Sequence, residues 1–294
     1  MRKCLTQNLT ALFKAIAEKS TLYIPVDLER GRVGYKKYAD GMVMSNALNT
    51  DRSAKDFFFP QTENLMEFKV DGKKIEVIDN RKESEDFVVF GVRACDVKSL
   101  EVLDKVFLAE PVDSYYKSRR EHGVIVSMAC SRPTETCFCG TFGIDASSPK
   151  GDVECYKTED ALYFNPVTEK GKKFLETISS VTEECDEVAV NEQKEQIKKV
   201  LDKLPLKDLK ADAFGADKTD KFFNAPEWKT LSESCLGCGT CTFVCPTCQC
   251  YDIKDFKTNN GVERFRCWDS CMYSDFTKMS AGQPRLTQME RFRQ

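Results

Sequence analysis

The sequence predicts an α/β protein in two parts: a mixed or parallel α/β domain over residues 1–210, then a small, mostly helical domain over residues 226–294. Three observations carry this expectation. Phe87-Val-Val-Phe-Gly-Val92 is an unbroken apolar run, the pattern of a strand buried on both faces of a parallel sheet. Leu100, Leu103 and Phe107 follow at helical spacing and Val124-Ile-Val-Ser-Met128 reads as the next strand, giving the strand–helix–strand order of α/β folds. Leu206 to Ala225, rich in Lys, Asp and Ala and low in pattern, then separates this part from a cysteine-dense tail. At 294 residues and 41% apolar content, the chain can bury a core and is long enough for two domains.

Taken in order, Leu5, Leu9, Leu12, Phe13 and Ile16 predict an amphipathic helix over residues 5–18, and Leu22 to Val26 a short strand. Phe57-Phe58-Phe59 reads as core filling. Met66, Phe68 and Val70 alternate up to Asp71-Gly72, and Ile75 and Val77 resume the alternation, which predicts a hairpin. Asp96 is placed to cap the helix that carries Leu100, Leu103 and Phe107. Further helices are expected over 168–178 and 191–204, the second ended by Pro205, with a short lead-in helix over Glu227 to Ser234 and a basic, helix-like LTQMERFRQ at the end.

Composition narrows the function. A net charge of −3 argues against a nucleic-acid surface, although Arg264, Arg266, Arg285, Arg291 and Arg293 make the last thirty residues locally basic, as a solvated or docking face would. No apolar run approaches the roughly 20 residues that span a bilayer, and Gln7, Asn8 and Lys14 interrupt the N-terminus too often for an export signal, so a cytoplasmic location is expected. Fifteen cysteines in a mid-sized chain without such a signal suit reduced, metal-binding thiols better than disulfides. With His122 the single histidine, a Ser-His-Asp triad or a Cys-His pair has almost no raw material. There is no Walker loop and no GxGxxG after a strand.

The most specific stretch is Cys235-Leu-Gly-Cys238-Gly-Thr-Cys241-Thr-Phe-Val-Cys245-Pro246, a CxxCxxCxxxCP run with the spacing by which bacterial ferredoxins hold a [4Fe–4S] cluster. Three thiols at steps of three residues on a tight loop supply three of the four thiolates a cubane needs, and Gly237 and Gly239 let the backbone approach it. A zinc site is the competing reading, but zinc usually pairs two CxxC units across a longer spacer or adds histidine. Where two such runs occur, the fourth cysteine of each serves the other cluster, so Cys245 is expected to ligate a second one. No second run follows before Gln294. Either the chain is truncated before that run, or other thiols complete the site; Cys248, Cys250, Cys267 and Cys271 are the local candidates, each equally readable as a small buried apolar residue.

A second thiol group stands upstream. Cys95 and Cys130 follow the two predicted parallel strands, which puts them at one carboxyl edge of the sheet, where open α/β folds place their sites. Cys137-Phe-Cys139 follows in a loop short enough to fold over that edge. The four thiols suffice for one more cluster, and packing as core cysteines is the alternative. Cys4, Cys155 and Cys185 receive no role.

Read together, CLGCGTCTFVCPTCQC over 235–250, Arg264-Phe-Arg-Cys-Trp-Asp-Ser-Cys-Met272, Phe276-Thr-Lys-Met279, Gly91-Val-Arg-Ala-Cys-Asp-Val97 and Thr136-Cys-Phe-Cys139 resemble one family. It is the dicluster [4Fe–4S] electron-transfer family typified by the iron–sulfur subunit of anaerobic sulfite reductase and by the beta subunit of cytoplasmic sulfhydrogenase; the likeness covers roughly residues 55–294. The resemblance implies a ferredoxin-like iron–sulfur domain. It also implies a non-catalytic electron carrier that connects a flavoprotein NAD(P)-linked subunit to a catalytic reductase or hydrogenase subunit. In that family the chain runs on into a second CxxCxxCxxxCP, which this sequence lacks. The competing expectation is an oxidoreductase whose flavin or organic substrate binds in the N-terminal α/β domain near Cys95.

Overall fold

The computed structural model describes residues 1–81, 83–215 and 217–293. From the N-terminus, β1 (Arg2–Leu5) leads into α1 (Leu9–Ala17), which buries Leu12, Phe13 and Ile16 at the spacing read from the sequence. β2 (Thr21–Asp27) and β3 (Val33–Lys37) pair antiparallel, and the single turn α2 (Lys55–Phe58) buries Phe58 and, just beyond it, Phe59. β4 (Thr62–Asp71) and β5 (Lys74–Asp79) form the expected hairpin, with Gly72 at φ 59° in its turn. Next come β6 (Phe87–Val92), α3 (Ala94–Phe107), α4 (Ser114–His122) and β7 (Gly123–Met128). β8 (Val153–Lys157), β9 (Ala161–Pro166), α5 (Glu169–Thr177), the two-residue β10 (Glu183–Glu184) and α6 (Val188–Leu201) follow. The tail holds α7 (Glu227–Ser232), α8 (Thr240–Val244), β11 (Tyr251–Thr258), β12 (Gly261–Trp268) and α9 (Gln288–Phe292).

The chain divides into two compact units, both discontinuous: Met1–Phe59 with Glu83–Leu209, and Pro60–Lys82 with Lys210–Gln294. The division therefore differs from one at residue 210 alone, because the 62–79 hairpin groups with the C-terminal cysteines rather than with the α/β unit.

The first unit is built on an eight-stranded sheet in the order β10-β1-β9-β8-β7-β6-β2-β3. Its middle four strands, β8, β7, β6 and β2, are parallel, and the flanking pairs are antiparallel. Every residue of β6 is buried, as an apolar strand with both faces covered requires. Phe13 and Ile16 of α1 and Phe174 and Leu175 of α5 join Phe90, Val126 and Phe164 in one core. Phe59, Phe107 and Tyr116 stack in a second aromatic group, with centroids 4.9 Å apart in both pairs. Asp96 does not cap α3. Arg93 is the N-cap, and the Asp96 carboxyl sits in the first turn, accepting a backbone hydrogen bond from Ala54.

The second unit departs from the mostly helical expectation: its largest element is a four-stranded antiparallel sheet in the order β11-β12-β4-β5, and its helices have five or six residues each. Strand β12 registers along β4 from Gly261↔Lys69 to Cys267↔Thr62. A buried ion pair fixes that seam: Arg266 and Glu63, each with a 4% exposed side chain, meet at 2.6 Å. Arg266 is thus removed from the expected basic surface, and Arg264 is tied bidentately to Asp255 at 2.7 and 2.8 Å. Among the described residues no helix is long and apolar enough to cross a membrane.

Candidate iron–sulfur site

The cysteine run lies where α7 ends and α8 begins. Ser232 O, in the last turn of α7, accepts the Cys235 backbone N–H at 3.0 Å. The chain then turns twice in the left-handed region, at Gly237 (φ 66°) and Gly239 (φ 73°), conformations that side chains oppose. A side chain would also crowd its neighbours. A Cβ on Gly239 would stand 2.8 Å from the Tyr273 ring, and one on Gly237 would stand 2.9 Å from Gln288 Oε1. Gly239 is the N-cap of α8, so Cys241 rides the helix and Cys245 caps its far end before Pro246 turns the chain away.

The neighbours favour thiolates, the form that binds iron. Thr240 Oγ1 lies 3.3 Å from Cys238 Sγ and pulls that exposed thiol below its ordinary range. Hydrogen bonds from Cys248 first, then Thr247, outweigh burial at Cys245 and bring it to about 5. Gln288 of α9 donates from Nε2 to Cys235 Sγ at 3.2 Å, the kind of N–H···S contact that tunes a cluster. That helix is fixed by a capping box of Thr287 and Glu290.

Strand β12 delivers the second cysteine segment to the same place. Buried Ser270 accepts from Thr242 Oγ1 at 2.8 Å, and the Tyr273 hydroxyl donates to Cys238 O at 3.3 Å. Trp268 packs on Phe243 of α8 with centroids 6.1 Å apart. Cys271 is hydrogen-bonded to Cys250 and close enough to Cys250 and Cys241 for their charges to raise it further, after burial has done so. Cys267 lies on β12 opposite Asp252, and the backbone of Asp269 donates to Cys250 O at 3.0 Å. The stretch from Trp268 to Tyr273 therefore buttresses the motif loop through Ser270 and Tyr273 as well as bringing thiols to it. Gln288, Thr240 and Tyr273 escape a reading of the sequence, since a lone amide or hydroxyl carries no spacing signal.

In the first unit, β6 and β7 are parallel neighbours, Cys95 lies in the first turn of α3 and Cys130 two residues past β7. The expected strand-end arrangement is observed. Cys95 keeps part of its surface exposed, yet the atoms crowded around its thiol raise it to about 12, and burial raises Cys130 to about 11. The charges of Cys139 and Cys130 add to the first, those of Cys137 and Cys139 to the second. Cys139 is raised by burial and by Cys137. Each of the four thiols thus lies within electrostatic reach of at least one other. Cys155, completely buried on β8, is raised further still and behaves as a small apolar residue.

Among the described residues no three or more Cys, His, Asp or Glu side chains are drawn together tightly enough to hold one metal ion. The glycine-turned loop, its lowered thiols and the Gln288 donor fit a [4Fe–4S] cluster.

A family model described as a 4Fe-4S dicluster domain matches residues 234–294. The chain is also 33% identical over 245 residues to sulfhydrogenase 2 subunit beta of Pyrococcus furiosus, covering 80% of this chain and 69% of that one. No solved structure matches it. The chain belongs to the dicluster [4Fe–4S] electron-transfer subunit family, and [4Fe–4S] clusters are its cofactors.

Proposed function

We propose that this chain relays electrons, in the cytoplasm, within a complex of the hydrogenase or anaerobic sulfite reductase type, connecting a flavoprotein NAD(P)-linked subunit to a catalytic one. The observation that carries this is the glycine-turned cysteine loop, with two thiols held toward the thiolate and Gln288 aimed at a third, in a chain 33% identical to a sulfhydrogenase beta subunit. A [4Fe–4S] cluster bound there supplies one-electron transfer at a potential around −400 mV, by comparison with plant-type ferredoxins. Cys235, Cys238 and Cys241 hold the first, ferredoxin-like cluster, and Cys245 points to a second. Cys248, Cys250, Cys267 and Cys271 are the thiols available to complete the two sets, Cys250 and Cys271 being already in contact. Cys95, Cys130, Cys137 and Cys139 hold a further cluster at the carboxyl edge of the α/β unit, a reading supported by the placement of Cys95 and Cys130 just past the parallel neighbours β6 and β7.

The chain's own residues orient the thiols, lower those of Cys245 and Cys238 toward the thiolate, and place an N–H donor on Cys235. The single histidine, His122, meets Asp86 on the surface of the α/β unit at 2.7 Å. The test is electron entry. With NAD(P)H and a flavoprotein donor, the reconstituted chain should bleach as its clusters reduce; with NAD(P)H alone it should not. Steady turnover of an organic substrate by the isolated chain would refute the carrier reading.

A further inference from the structure

The parallel strands of the first unit end in cations. Arg93 follows β6, Arg132 lies four residues past β7, and Lys157 closes β8, so three adjacent strands each place a positive side chain at the carboxyl edge of the sheet. The three line one cavity of about 130 Å³, together with Ser45, Asn46 and Ser131, and none of its lining residues is acidic. Arg93 shapes the wall. Its guanidinium donates to the carbonyls of Leu48, Ala47 and Ala129, the last two at 3.2 Å, which holds the 45–48 loop over the cavity. Lys157 Nζ is held by Asn46 Oδ1 at 2.6 Å. The Arg132 guanidinium has no hydrogen-bond or ion-pair partner among the described residues.

Carboxylates stand behind the cations rather than among them. Asp96 interacts with Arg93, and Asp27 accepts from Ser45 Oγ at 2.5 Å. Neither reaches Arg132 or Lys157. Burial, then the like charge of Arg132, and Arg93 more weakly, hold the Lys157 ammonium below its ordinary value, in keeping with the three cations lining one cavity. Like charges gathered without a counter-charge cost free energy that an anion between them recovers. Size selects among anions. A water takes about 30 Å³ of liquid and drug-sized ligands need some 300 Å³ or more, so the cavity fits a few waters or one small ion.

We propose that this cavity is a binding site for a small divalent oxyanion of the phosphate or sulfate type, held by Arg132 and Lys157 from two sides with Arg93 and the Ser131 hydroxyl around it. The site adjoins Cys130 but does not depend on whether that thiol binds iron. It adds to the electron-transfer reading a place where an anion alters the charge beside the upstream thiols.

Isothermal titration of the full chain with inorganic phosphate, and separately with sulfate, against sodium chloride at matched ionic strength, tests it. One saturable site is expected, weakened about tenfold by Arg132→Gln, as loss of one charge-assisted bidentate contact implies. Arg132→Gln with Lys157→Gln should abolish it, while Lys203→Gln, an exposed lysine elsewhere, should leave it unchanged. Saturable binding that survives the double variant, heat that follows ionic strength alone, or binding of AMP without binding of phosphate would overturn the assignment. Circular dichroism and iron content recorded on the same samples separate loss of this site from loss of fold or of clusters.

Discussion

Gln288 is the residue through which the protein acts most directly on its first proposed cluster, because its Nε2–H points at Cys235 Sγ. A donor on a ligand sulfur stabilises the reduced, more negative cluster and so raises its potential. Gln288→Leu should therefore shift the potential down by roughly 50 mV, since a tenfold change in a one-electron equilibrium is 59 mV; a redox titration followed by electron paramagnetic resonance reads it. An unchanged or higher potential would mean that Cys235 is not a ligand. Asp96 makes a second test at this scale. Burial raises its carboxyl from 3.8 to about 6 despite the Ala54 hydrogen bond and Arg93. The folded chain then keeps a proton that the unfolded chain has lost, so stability is full below about pH 4, falls as pH rises to about 6, and levels off above. At 1.36 kcal/mol per unit, discounted for its partly exposed edge, the loss is about 1–3 kcal/mol. Asp96→Asn should flatten that slope in urea denaturation of the cluster-free chain, and an unaltered slope would count against the buried, protonated carboxyl.

At the scale of elements, strand β12 matters most, because it carries Trp268, Ser270 and Cys271 to the motif loop. It starts at Gly261, where φ is 150° and a Cβ would stand 1.8 Å from Phe68 O. Gly261→Ala forces β12 off β4, an overpacking cost of about 2 kcal/mol or more. The melting temperature should fall and cluster occupancy with it, and a variant as stable as the parent would remove β4–β12 pairing as the support of the site. This pairing is also the part hardest to read in the sequence. Residues 62–71 and 261–268 are almost two hundred positions apart, and Lys254, Asp255 and Lys257 on β11 give the strand no clean alternation. By contrast β6, α3 and the 62–79 hairpin are legible, since each shows its own apolar period. Leu5 misleads because it falls in helical register with Leu9 and Leu12, yet residues 2–5 pair with β9, a tertiary preference that local spacing does not encode. The cysteines are legible from spacing, and their supports Thr240, Tyr273 and Gln288 are not.

For the whole molecule, two discontinuous units each carry cysteines: eight in the C-terminal unit, and in the other Cys95 and Cys130 just past two parallel strands, with Cys137 and Cys139 in the loop that follows. The division makes a cut at residue 210 a poor way to separate the two sets, because it would strip β4 of its partner β12. Substitution in the full chain keeps both sheets intact. The measurement that bears most directly on the central claim is the iron content of the anaerobically reconstituted Cys235→Ala, Cys238→Ala, Cys241→Ala triple variant, with the reduced electron paramagnetic resonance spectrum recorded alongside. The account predicts a loss of about four irons per chain and of the rhombic signal belonging to that cubane. A triple variant that kept all its iron and the parent spectrum would contradict it.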